Sequence, residues 1–257
     1  MYLAVPPQHN CPLAWLAAAN AVDAQAGHEA HNVIIDVENP IADITRAHSV
    51  VATVDDFLKA RDKSVFTVAN TIFPLSIYQR HGAPAFFEVF HQKILPKVRK
   101  NLRWSGYYFE RMIDHPTRSG KSVNLLWDIV ERIRNFDENP SYNKYELSLF
   151  DPERDIDKSP YGGQCLSFLS FKLVRGEEKH LALTAMYRNH FYIEKLLGNL
   201  IGLGRLMAFV ATEAGVAVGP LTVISTHAVI DGVGSKRADV RALIDRCSAS
   251  LKLKPAA

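Results

Sequence analysis

Cysteine is scarce in this sequence. Three occur in 257 residues, at positions 11, 165 and 247, and no two form a CxxC pair. That spacing excludes a disulfide framework and a zinc ribbon, and it suits a reducing cytoplasm. No HExxH-like pattern occurs, so no metal site is expected. A Walker loop is also missing. The lone "GLG" at 202–204 lies inside a helical pattern rather than at a strand-to-helix turn, which excludes a dinucleotide fingerprint. No run of about 18 apolar residues stands out, so no membrane span is expected. The opening "MYLAVPPQHNCPLAWLAAANAV" lacks a basic leader and is broken by prolines, so it does not read as a signal peptide. Excess charge is scarce too. Thirty Lys and Arg against 27 Asp and Glu leave a net +3. That favours a small anionic ligand over nucleic acid.

What is present describes one globular domain. A 47% hydrophobic and 22% charged chain of this length can bury a core without staples. With no repeat and no flexible linker, it reads as a single α+β domain, a twisted, partly antiparallel sheet covered by helices. Residues 12–26 read as a helix ended by Gly27, and "NVIIDV" as a strand. Thr53 reads as the cap of a short helix, "VDDFLKAR". The β-branched and aromatic stretch "SVFTVANTIFPLSIY" predicts a strand running into a loop at Pro74. "APAFFEVFHQKILPKVRK" predicts a helix with Pro96 as a kink or stop. "SGYYFERMI" reads as strand or turn, and Ser122 as the cap of the helix "VNLLWDIVERIRN". "KYELSLFD" is a short strand and residues 152–164 a loop. "CLSFLSFKLV" and "HLALTAMY" flank "RGEEK" as a hairpin. A long apolar helix closed by Gly215, the strand "PLTVISTHAV" and an amphipathic helix complete the chain.

The stretch "YGGQCLSFLSFKL" sets Cys165 after a glycine pair, at the mouth of a strand. A strand cysteine is more often a small packing residue than a nucleophile. Arg188 argues for the nucleophile. It ends the second strand of the hairpin, and a guanidinium beside a thiol favours the thiolate. The bland reading of Arg188 is a surface ion pair. Asn199 lies in the apolar helix "LLGNLIG", where an amide needs partners. Its acceptor and two donors suit the edge of a heterocycle, and a bond to a neighbouring strand is the alternative. His227, in "ISTHAV", reads as a core histidine or a ligand contact.

In order and spacing, Cys165, Arg188, Asn199, Thr226 and His227 resemble the active-site series of the thymidylate synthase family. "LLWDIVERIRNFDENPSYNKYELSLFDPERD" is similar to the family's helix, turn and strand. "GYYFERM" resembles its tyrosine-containing site segment, with Tyr107, and "FFEVF" resembles the segment of its catalytic glutamate, at Glu88. The resemblance is strongest over residues 122–231, whereas residues 1–65 are divergent. It implies a thymidylate synthase-like twisted mixed sheet covered by helices. It implies that Cys165 adds to C6 of a pyrimidine nucleotide, and that C5 then takes a one-carbon unit from 5,10-methylenetetrahydrofolate. Arg188 would lower the thiol pKa and contact phosphate. Asn199 would pair with the base, favouring uracil over cytosine, and His227 would hold the sugar. Glu88 would organise water and protons. The resemblance further implies a homodimer with sheets back to back, in which Asn143 and Lys144 reach the partner's site.

Departures from the family pattern are specific. Leu166 stands where the family has His, Phe191 where it has Asp, and Val229 where it has Tyr. Asn143 and Lys144 replace an arginine pair, and the arginine-bearing phosphate loop and the usual closing tail are not visible. Losing Arg forks weakens bidentate phosphate binding. These differences point away from standard dUMP methylation. They leave a pyrimidine C5 methyl- or hydroxymethyltransferase, with a non-catalytic nucleotide-binding relative as the alternative. A Cys-His hydrolase is disfavoured, because no feature supplies an oxyanion hole.

Overall fold

A computed structural model describes residues 2–100, 107–138, 140–155 and 163–252. After strand β1 (Leu3–Ala4), Asn10 accepts a hydrogen bond from Leu13 N and starts helix α1 (Cys11–Asp23), with Pro12 in its first turn. Gly27, at φ +69°, turns the chain into β2 (Glu29–Val37). Helices α2 (Ser49–Lys59), α3 (Val65–Ile72), α4 (Leu75–His81) and α5 (Ala85–Val89) follow. A wide π turn, Phe90–Ile94, joins α5 to α6 (Leu95–Val98). Then come α7 (Tyr108–Ile113), the small hairpin β3 (His115–Pro116) and β4 (Ser122–Val123), and α8 (Leu125–Arg134). β5 (Glu146–Ser148) and α9 (Pro152–Asp155) precede the long hairpin of β6 (Leu166–Val174) and β7 (His180–Tyr187). β8 (His190–Phe191), a π turn at Tyr192–Leu196, α10 (Leu197–Ala214), β9 (Ala217–Val229) and α11 (Arg237–Lys252) end the chain.

Among the described residues seven strands form one mixed sheet, in the order β1-β2-β9-β7-β6-β5 with β8 also on β9. β2 and β9, β7 and β6, and β6 and β5 pair antiparallel, whereas β9 runs parallel to β7 and β8. Alternate residues of each long strand are buried, so one face carries the core and packs on α1 and α10. The other face is partly open. Across it the register aligns Phe168, Met186, Ile224 and Ile34 in one apolar row over four strands.

The stretch Tyr192–Ala214 contains the long apolar helix read from the sequence. It is apolar and long enough to cross a membrane, yet 78% of its most apolar window is buried inside the protein, as a core helix is. Trp15 of α1 donates its indole N–H to Tyr192 O at 2.8 Å and ties α1 to the head of this helix.

Other expectations give way to packing. The predicted strand at 65–72 is helix α3. Ser64 caps it, accepting from Phe66 N at 3.2 Å, and Val65, Val68, Ala69 and Ile72 form a buried stripe. That stripe lies on Gly198 and Gly202 of α10. A Cβ on Gly198 would stand 2.6 Å from Val65 O, and one on Gly202 2.9 Å from Ala69 O. So close an approach rewards a helix strongly enough to override β propensity. Thr53 lies inside α2, bonding Ser49 O at 2.8 Å, while His48 supplies the cap. "YYFERMI" is helical from Tyr108; residues 105 and 106 of that prediction lie outside the described residues. Asn124, not Ser122, caps α8. Pro96 lies in the first turn of α6, directly after the π turn, and the helix ends two residues later at Val98. The loop predicted at 152–164 begins with α9, and its residues 156–162 lie outside the described residues.

Candidate active site

Strand directions gather the chemistry at one end of the sheet. Leu166 pairs with Tyr187, Tyr187 with Ser225, and His31 with His227. Cys165 just before β6, Arg188 just after β7, and His227 near the end of β9 therefore share one rim. The rim has a gap between β7 and β8, filled by Arg188 and Asn189. Thr226 spans it, its hydroxyl donating to Arg188 O at 3.0 Å and Tyr187 O at 3.3 Å.

Arg188 is fixed beside half-buried Cys165. Its backbone N–H donates to Cys165 O at 2.9 Å, and its Nε donates to Gln164 O at 2.9 Å. The guanidinium lies over the Phe150 ring, 5.3 Å from its centroid. Gly163 makes the room: its φ is +76°, and a Cβ there would come within 2.6 Å of Arg188 Nη2. Behind the cysteine, the buried pair of Arg111 and Asp155 anchors the segment. Asp155 accepts from Gln164 N at 3.2 Å and Asp151 N at 2.9 Å, and Arg111 donates to Leu149 O at 2.7 Å. Burial works against the Asp155 carboxylate, but these hydrogen bonds and the Arg111 charge outweigh it and hold its pKa below the usual range. One helical turn before Arg111, the Tyr108 hydroxyl accepts from Leu166 N at 3.4 Å.

The thiol of Cys165 feels opposing influences. Burial pushes its pKa up, the charges of Arg188 and Lys195 pull it down, and Asp155 pushes it up again. The net direction is upward. Arg188 thus acts as the sequence suggests, but burial outweighs it. This corrects the expectation of a lowered thiol.

Asn199 is buried and bonds to a neighbouring strand. Its Nδ2 lies 2.9 Å from Nε2 of His190, whose Nδ1 lies 2.9 Å from Ser225 Oγ. His227 is half-buried, with Nδ1 2.8 Å from Asn189 Oδ1 and Nε2 3.4 Å from Glu29 Oε2. Tyr107 is half-buried at the cap of α7, its ring 6.1 Å from Phe90. Glu88 is on the exposed side of α5, accepting from Gln92 Nε2 at 2.8 Å. Lys144 is exposed ahead of β5, whose register places it toward the far end of β6, roughly 20 Å along the strand from Cys165.

The fold therefore brings Cys165, Arg188, Asn199 and His227 to one end of the sheet and places Lys144 toward the other end of β6, while Glu88 lies on the exposed side of α5. It adds residues that the sequence did not single out: Tyr108, Tyr187, His190 and Lys195. Helical spacing from Tyr108 to Arg111 was the available signal for the first. Tyr187, a strand-end aromatic, carries no such mark.

No family model matches the chain. Two curated archaeal proteins do, both named "Putative thymidylate synthase". The one from Methanothermobacter thermautotrophicus is 31% identical over 160 residues, covering 56% of this chain and 68% of the relative. The one from Methanothermobacter marburgensis is 31% identical over 121 residues, covering 47% of this chain and 51% of the relative.

Proposed function

This chain belongs to the thymidylate synthase-like family of these archaeal relatives, and from that premise we propose that it transfers a one-carbon unit to C5 of a pyrimidine nucleotide, with Cys165 as nucleophile. The observation that carries this reading is the fixing of Arg188 beside the thiol, by its two 2.9 Å bonds to the Cys165 and Gln164 carbonyls. A binding module has no need to hold a guanidinium against a half-buried sulfur.

In this reading the thiolate of Cys165 adds to C6 of the ring. The C5–C6 electron pair moves toward the C4 carbonyl and leaves C5 nucleophilic. Arg188 and Lys195 favour the thiolate, and Arg188 also offers donors to a phosphate. Asn199 faces the base and His227 the sugar. The Tyr108 hydroxyl, beside the Cys165 backbone, holds the water that takes the C5 proton. Expulsion of the thiolate then restores the double bond. When bound, 5,10-methylenetetrahydrofolate would supply the carbon at the oxidation level of formaldehyde: its bond to the folate nitrogen breaks as the carbon passes to C5, and either water completes a hydroxymethyl group or a hydride from the folate, oxidised to dihydrofolate, completes a methyl group. Phe150, partly exposed beside the Arg188 guanidinium, would be an aromatic contact for its pterin. Glu88 takes no step here, and Lys144 would serve the second site of a homodimer formed through the open sheet face.

The test uses C5-tritiated UMP, dUMP, CMP and dCMP, with and without methylenetetrahydrofolate. Tritium should pass to water from at least one of them, and Cys165→Ser should abolish the release. If correctly folded protein releases none, the second reading stands: a nucleotide-binding relative without catalysis. The raised pKa of the thiol favours that alternative, as do Phe191 and Val229.

A further inference from the structure

The face of the sheet that carries the core runs out at the rim. Along β2, Val33, Ile35 and Val37 are buried, and the preceding residues on the same face, Glu29 and His31, are exposed. On β9 the buried series Leu221, Val223 and Ser225 passes in the same way into half-buried His227. The register sets His31 opposite His227 and Glu29 opposite Val229. Alternation therefore places Glu29, His31 and His227 side by side on one face, at the rim that holds Cys165 and Arg188.

Three side chains surround the His227 ring. His31 lies 5.3 Å away between centroids, with the planes 41° apart. Asn189 Oδ1, from the gap between β7 and β8, is 2.8 Å from Nδ1. Glu29 crosses diagonally from β2 and sets Oε2 3.4 Å from Nε2. The Glu29 side chain is itself 50% exposed. Among the described residues His227 is the only hydrogen-bonding or charged partner of its carboxylate, and no Lys or Arg neutralises it.

Sheet order divides the charges. β9 lies between β7 and β2, so the Arg188 guanidinium stands on one side of His227 and the Glu29 carboxylate on the other. The first side suits a phosphate. The second repels one and suits hydroxyl groups, because an ionised carboxylate only accepts. A ribose offers it two O–H donors on adjacent carbons, matching two acceptor oxygens on one carbon. Acidic side chains meet the ribose 2′-hydroxyl of dinucleotides in this manner. A 2′-deoxyribose offers a single donor there.

We propose that Glu29 is a specificity-determining residue that accepts the 2′- and 3′-hydroxyls of a ribose, so that the substrate is a pyrimidine ribonucleotide rather than a 2′-deoxyribonucleotide. This rests on the reading above, in which His227 faces the sugar.

Calorimetric binding of UMP, dUMP, CMP and dCMP tests the proposal. For whichever base the wild-type protein accepts, the ribonucleotide should bind about tenfold or more tightly than its deoxy counterpart, the worth of one hydrogen bond to a charged group. Glu29→Ala should bring the two within about threefold. The side chain is half exposed and makes no packing contact in the core, so the variant keeps the fold. If Glu29 serves only to orient His227, the alanine variant weakens both sugars alike and keeps their ratio, which overturns the proposal. Equal binding of the two sugars by wild-type protein, or a preference for the deoxyribonucleotide, overturns it as well and leaves the transferase reading intact. Binding of none of the four by wild-type protein overturns both.

Discussion

At Cys165, burial raises the thiol pKa while Arg188 and Lys195 partly offset it. Turnover should therefore rise with pH as thiolate forms, with its inflection above that of an ordinary thiol. Arg188→Gln removes the larger of the two favourable charges and should move the inflection higher still. For every pH unit that the inflection climbs, about tenfold less thiolate remains at neutral pH. The pH profile of tritium release checks this, and an unmoved inflection would count against the assignment of Arg188. Gly163→Ala should act on the same guanidinium from behind, since its Cβ would meet Nη2 at 2.6 Å and its backbone sits at φ +76°. A displacement of this kind can cost about 10²-fold in kcat, and wild-type kcat in the variant would show that the placement is not needed. His190 predicts a stability effect. Its folded pKa lies below its unfolded one, so the stability is fully present above about 6.5 and is lost as pH falls toward about 3. His190→Gln should lack that part of the acid loss in urea midpoints measured across the window. The shared position of Cys165, Arg188, Asn199 and His227 at one end of the sheet was legible because each stands at a strand mouth, at a strand end, or as a polar residue in an apolar run. Tyr187 and His190 were not, because a strand-end aromatic and a histidine beside it carry no mark of their contacts until β8 folds onto β9.

Among the elements, α1, α10 and the hairpin of β6 and β7 could be read directly, the helices as apolar runs rich in Ala and Leu, the hairpin by its alternation, each with its own stop signal. Helix α3 could not. Its valines and isoleucine favour a strand locally, and the reason for a helix lies far along the chain, at Gly198 and Gly202. Their missing side chains admit the α3 backbone, so the pair should resist even one added methyl group. Gly198→Ala should destabilise the protein by about 1–3 kcal/mol, the usual cost of overpacking, read as a lowered urea midpoint with unchanged slope. A neutral result would mean that the two helices can separate freely.

For the molecule as a whole, the open sheet face is the feature most in need of a partner. Phe168, Met186, Ile224 and Ile34 form a continuous apolar row there, and Met186 is 37% exposed. A second copy packed face to face would cover the row, as the proposed homodimer requires. Met186→Lys should then convert dimer to monomer in sedimentation velocity runs. A wild-type protein that stays monomeric at every concentration would refute the dimer, and with it any role for Lys144 in a partner's site. The hydrogen bond from Trp15 to the Tyr192 carbonyl gives the molecule an optical handle. In a background of Trp104→Phe and Trp127→Phe, the emission of that indole would report on the turn that carries Lys195. Nucleotide arrival could then be timed in stopped flow without any attached dye.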